Sequence, residues 1–275
     1  MKNEPTSPLP LDSPRWSALS HAYGSAKNVP GMLRRFRMDG YGEASDDDLL
    51  WGHLCHQGTI YTATFAAAPH VMCRVDEQPI EGQVMLVVFM ASVCASADTV
   101  HLMEDLRPAF EQSLADAGRK AMELLQQHRL SDSDFAYLLG AAAALHGNSD
   151  DLHTLEFALS NGELNAACPE CGSQILFETE SVPFEARLLE HDDQKPLMTS
   201  PTKPVDPPTV VTPREPPVQP WPLKPEASQI YDWLYGAARR SGHIEIAEKM
   251  RSLFGNATCP KCHAEIDLRA ASKLI

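Results

Sequence analysis

Two stretches of the chain read alike: NAACPECGSQILF at 165–177 and NATCPKCHAEIDL at 256–268. Upstream of each lies aromatic-Leu-x-Gly-Ala-Ala, as YLLGAA at 137–142 and as WLYGAA at 233–238, followed by a helical segment. The glycine precedes the first cysteine by 28 positions in one copy and by 23 in the other. So many matches in one order identify an internal repeat. No other feature constrains the fold as strongly. Each copy supplies two thiols on a tight Cys-Pro-x-Cys turn, and two thiols alone do not complete a metal site.

Taken by itself, Cys259-Pro-Lys-Cys262-His263 has the Cys-x-x-Cys-His form of a covalent haem attachment, with the histidine as an iron ligand. The repeat argues against it, because Gly172 occupies the position of His263 in the first copy. What both copies keep is the cysteine pair. A structural zinc ion takes four ligands in a tetrahedron, so the economical expectation is one Zn2+ shared by Cys168, Cys171, Cys259 and Cys262. Ile175 and Phe177, like Ile266 and Leu268, alternate as in a short strand after each turn, which makes two hairpins of a zinc-ribbon-like element. The two pairs stand 88 positions apart, and a metal joining them closes a long loop at modest entropic cost.

Between them, at 196–225, 11 of 30 residues are proline. That composition predicts extended, polyproline-like chain without a core of its own. The start, MKNEPTSPLPLDSPRW, lacks the apolar stretch of a signal peptide. The longest apolar run, Val84 to Ala95, is 12 residues, against about 20 for a membrane span. A cytoplasmic location is therefore expected, where thiols stay reduced and seven cysteines serve as ligands or core residues.

The rest reads as helices. Ser13 before Pro14 is a helix start, as is Ser45 before three aspartates, whose helix is expected to run to Gly58. A helix kinked or broken near Pro69 follows, then the apolar 84–95 segment. Next comes an amphipathic run with Leu106, Phe110, Leu114, Ala117, Ala121 and Leu125 on one face. Ser131 and Asp132 open a further helix rich in alanine. The expected class is all-α, an α-solenoid or irregular helical bundle, carrying the four-cysteine element. The expected domains are a helical domain over 1–130, a helical hairpin with the first knuckle over 131–185, a proline-rich linker over 186–225, and a second hairpin and knuckle over 226–275.

Part of the chain resembles a bacterial family of HEAT-repeat-like proteins. The resemblance is carried by His21, Ala22, Tyr23, Gly24, Val29, Pro30 and Leu33, then by His56, Gln57, Gly58, Thr59, Tyr61, Ala63 and Thr64. Met32 stands where that family usually has leucine, a change that conserves volume. The resemblance implies a HEAT-like α-solenoid serving as a helical binding scaffold, often ending in a cysteine-rich zinc segment, and no particular reaction.

Residue chemistry gives no catalytic set. His53 and His56 are spaced to share a helix face but lack the glutamate of a His-Glu-x-x-His hydrolase, and the chain has no Gly-rich phosphate loop and no Gly-x-Ser-x-Gly elbow. Cys55, Cys73 and Cys94 sit in apolar surroundings and read as inert. A formal charge of −14 argues against a general nucleic-acid binder and favours a basic partner. The expectation is a non-catalytic protein-binding scaffold, in its sharpest form an immunity protein that neutralises a basic toxin domain. The competing class is a zinc-ribbon nucleic-acid-processing factor or enzyme accessory protein. Trp51, His53, His56 and Tyr61 are the candidate partner contacts, being side chains common at interface hot spots or beside them.

Overall fold

The computed structural model describes residues 7–36, 46–96, 101–127, 130–149, 151–180, 182, 184–189, 202–204, 211–213 and 230–272. It divides into two compact units, Met1–Leu130 with Ala141–Leu152, and Ser131–Gly140 with His153–Ile275. The start expected at Ser45 and most of the proline-rich segment lie outside the described residues.

In the first unit, Ser13 accepts a hydrogen bond from the Arg15 N–H as expected of a cap, but the turn it opens is a short 3-10 helix ending at Ala18. The chain then makes a two-pair antiparallel hairpin, β1 (Ser20–His21) and β2 (Gly24–Ser25). Helices α1 (Val29–Arg35) and α2 (Asp46–Leu54) follow. The helix expected to reach Gly58 stops at Leu54, and a second small hairpin takes over, β3 (Cys55–His56) with β4 (Thr59–Ile60). Its turn residues Gln57 and Gly58 both have positive φ, 49° and 75°, which a helix excludes and a tight hairpin turn requires.

Thr64 joins the elements on either side of that hairpin. It is fully buried in α3 (Thr62–Met72), accepts from the Tyr61 N–H at 3.0 Å and donates to the Leu54 carbonyl at 2.5 Å. One hydroxyl thus serves the start of α3 and the end of α2. Helix α3 continues past Pro69 to Met72. Then α4 (Ile80–Ala95) and α5 (Arg107–Leu124) complete the packing, with Phe65 of α3 edge-on to Phe110 of α5 at 4.9 Å. Leu54, Ile60, Met90 and Phe110 belong to the same core.

The repeat recurs as structure, mostly within the second unit, with Ala141–Leu152 of its first copy counted in the first. The first copy runs α6 (Asp132–Leu145), α7 (Asp151–Glu156) with a π-helical turn over Phe157–Asn161, β5 (Glu163–Ala167), a knuckle and β6 (Gln174–Glu178). The second copy is α8 (Ile230–Ser241), α9 (Ile244–Leu253), β10 (Asn256–Thr258), a knuckle and β11 (Glu265–Asp267), then α10 (Leu268–Ser272). Leu268, expected to extend the strand, instead begins that last helix.

Segments outside the repeat extend both sheets. β7 (Glu185–Leu189) pairs with β6, and β8 (Thr202–Pro204) pairs with β7, giving the order β5-β6-β7-β8. β9 (Val211–Thr212) pairs with β10, giving β11-β10-β9. Val211 is 2% exposed, so even the proline-rich region lends a side chain to a core. Gly255 passes so close to β9 that an added Cβ would lie 2.1 Å from the Thr212 carbonyl oxygen.

The all-α expectation is therefore wrong. Among the described residues, four antiparallel sheets stand beside the helices, so the chain is mixed α and β, neither an all-α solenoid nor an all-α bundle. The reason is physical. Strands of two or three residues write no alternating pattern, and β7 has the sequence EARLL, whose residues favour helix. Pairing with β6 overrides that preference.

Candidate metal centre

Each knuckle is built by the same backbone device. Cys168 N–H donates to the Ser173 carbonyl at 2.9 Å, and Cys259 N–H donates to that of Ala264 at 2.8 Å. Gly172 N–H returns to Cys168, and His263 N–H to Cys259, both at 2.9 Å. The chain can close this loop only through a left-handed residue, and Gly172 (φ 68°) and His263 (φ 63°) supply it. His263 is thus the backbone counterpart of the glycine. The haem reading of the Cys-x-x-Cys-His stretch has no support in this geometry.

The two knuckles meet sulfur to sulfur. Cys168 Sγ lies 3.7 Å from Cys262 Sγ, and Cys171 Sγ lies 3.8 Å from Cys259 Sγ. All four sulfurs fall within 4.8 Å of one another. These separations are far beyond the roughly 2.05 Å of a disulfide. They match the ~3.8 Å between sulfurs that a tetrahedron with metal–sulfur bonds of about 2.3 Å demands. Among the described residues no other group of three or more His, Cys, Asp or Glu ligand atoms converges in this way. The donor set fits a metal ion, and a soft, borderline one, since every donor is a thiol.

Electrostatics point the same way. The first cysteine of each pair, Cys168 or Cys259, is buried, and the second, Cys171 or Cys262, is exposed. Hydrogen bonds from the Ser173 hydroxyl and N–H draw the Cys171 thiol down to about 6. At Cys262 the Ala264 N–H favours the thiolate, yet desolvation and the three neighbouring thiols push it up to about 12. Burial raises Cys259. Four thiolates crowded together repel one another, and a dication that replaces their protons removes the conflict. A set of four sulfurs also fills a tetrahedron, leaving no position for water or substrate.

The other candidate residues lie in the first unit. Trp51 is half-buried and packs edge-on against Phe89 at 5.0 Å. Tyr61 precedes α3 and is half-buried. His53 lies in the last turn of α2, whereas His56 belongs to β3, so the two do not share a helix face. They meet through a residue not selected as a contact: the Tyr23 ring stands 4.8 Å from that of His53 and 5.7 Å from that of His56. The HAYG and HQGT motifs, far apart in sequence, thus converge. The glycine after Tyr23 was the local signal of a hairpin, but nothing local announced its neighbours. Of the three thiols read as inert core, Cys55 is buried and Cys94 half-buried, while Cys73 is exposed, with its thiol donating to the His70 carbonyl.

No family model, curated protein or solved structure matches the chain. No helix of the described residues is long and apolar enough to cross a membrane.

Proposed function

We propose that the four cysteines hold one structural zinc ion, and that the chain is a non-catalytic protein-binding molecule with a basic partner. The convergence of four sulfurs from two knuckles carries this reading, because a saturated thiolate tetrahedron supports a fold and performs no hydrolysis. Zinc suits a tetrahedron of four thiolates, and seven cysteines of which four meet as ligands fit a cytoplasmic location, where thiols stay reduced. The ion ties the segment before the proline-rich region to the segment after it, so binding it is part of folding.

The charge of −14 and the absence of a catalytic constellation in the sequence support recognition of a basic protein. A secreted toxin domain neutralised in the cell that makes it is the sharpest form of that partner. Affinity capture of the full chain from its native cell tests this, with stoichiometry measured by light scattering. A single partner of pI above about 9 in a stoichiometric complex is the expected result. Stoichiometric nucleic acid or an associated reaction would reject it.

A further inference from the structure

Tyr23 is 65% exposed, an unusual position for a large aromatic side chain, yet the backbone N–H groups at and before it are hydrogen-bonded. Its N–H donates to His21 Nδ1 at 3.0 Å, and His21 Nε2 lies 3.0 Å from Asn28 Oδ1. His21 is 6% exposed, and with Nδ1 accepting, its Nε2–H donates to Asn28, which fixes a neutral tautomer. The preceding N–H, of Ala22, donates to the His53 carbonyl at 3.0 Å. Gly24, at φ 121°, closes the turn beyond it. The hairpin tip is therefore held before any partner arrives, and its ring is left in solvent.

Around that ring the planes stand steeply inclined: His53 at 65°, His56 at 70° and His21 at 64° to Tyr23, with His21 and His53 themselves 4.5 Å apart. Tyr23 Oη is 3.4 Å from His56 Nδ1. The result is a corner of aromatic faces and imidazole nitrogens on an exposed, hydrogen-bonded turn. The ligand atoms of its histidines do not converge as the four thiols do, so it is not a metal site in this geometry. A planar cation bearing N–H donors suits it: it stacks on a ring face and donates to oxygen or imidazole nitrogen in the same plane.

We infer that the Tyr23–His53–His56 corner is the contact point for an arginine side chain of a basic protein partner. The inference rests on the protein-binding reading above and supplies one of its contact sites. Charge complementarity favours this occupant, since a chain of −14 attracts a cationic surface and repels an acidic one. Preorganisation favours this place, because little ordering remains to be done on binding.

The test uses the full chain and two blocked peptides, acetyl-Gly-Arg-Gly-Arg-Gly-amide and its counterpart with neutral citrulline for arginine. Proton NMR follows the rings of Tyr23, His53 and His56. The arginine peptide is expected to shift them saturably in the millimolar range, and the citrulline peptide not to. Tyr23→Phe keeps the affinity, and Tyr23→Ala weakens it roughly two- to fivefold, the worth of one exposed cation–π contact. Equal shifts from both peptides, or native affinity in a folded Tyr23→Ala chain, would overturn the proposal. So would a basic partner that binds native and Tyr23→Ala chains equally, although the protein-binding reading would then survive. Peptide binding at Tyr23 in a chain that captures no basic partner would uphold the corner and count against that wider reading.

Discussion

His263 carries the backbone burden that Gly172 carries in the other knuckle, at nearly the same left-handed φ. Its imidazole is not among the four converging ligand atoms, so His263→Gly is expected to retain native metal content, measured by elemental analysis; loss of metal would make the histidine a ligand. Gly172→Ala tests the same conformation from the other side. No atom lies within 4 Å of the added Cβ, so its cost is the left-handed backbone alone, about 1 kcal/mol by chemical denaturation. Gly255 fails for a different reason. A Cβ there meets the Thr212 carbonyl of β9, and Gly255→Ala is expected to destabilise the second unit by about 1–3 kcal/mol. An unchanged denaturation midpoint would show that β9 is not seated against Gly255.

Among elements, the junction of α2, the β3–β4 hairpin and α3 depends on one hydroxyl. Thr64→Val keeps the shape but orphans the Tyr61 N–H and the Leu54 carbonyl, for an expected loss of about 2–4 kcal/mol. Thr64→Ser keeps both bonds and most of the stability. Equal losses in the two variants would mean that the methyl, not the hydroxyl, matters. The sequence suggested a helix running to Gly58, which put its end beyond Leu54 and missed the hairpin between. Ser131, by contrast, was legible as a cap, and it caps: its Oγ accepts the Asp134 N–H at 3.1 Å. Caps are written in adjacent residues, whereas β7 pairs through contacts with a strand that its own composition does not announce. Ile175 and Phe177 alternate clearly because β6 is flanked on both sides and one of its faces is buried.

At the scale of the whole molecule, the two units respond to different variables. The first buries His21, where desolvation lowers the imidazole pKa despite the bond to Asn28, and half-buries His70, where desolvation again outweighs a bond to the Leu9 carbonyl. Both groups bind protons more readily unfolded, so stability is held above about pH 6.5 and falls as pH drops below it. Thermal unfolding of the first unit is expected to shift downward between pH 7.5 and 5.5, and His21→Gln to reduce that shift. A midpoint that rises on acidification would contradict it. The second unit, on the proposed reading, is expected to answer to metal. Its site was legible because the repeat writes a pair of thiols twice. Its surroundings were not, because β8 and β9 are too short to leave a pattern in a run of prolines. The measurement that tests the central claim most directly is the metal content of the purified full chain. About one zinc per chain is predicted. Two would mean that each knuckle completes a separate site, and none would mean that the four sulfurs meet without a metal to hold them.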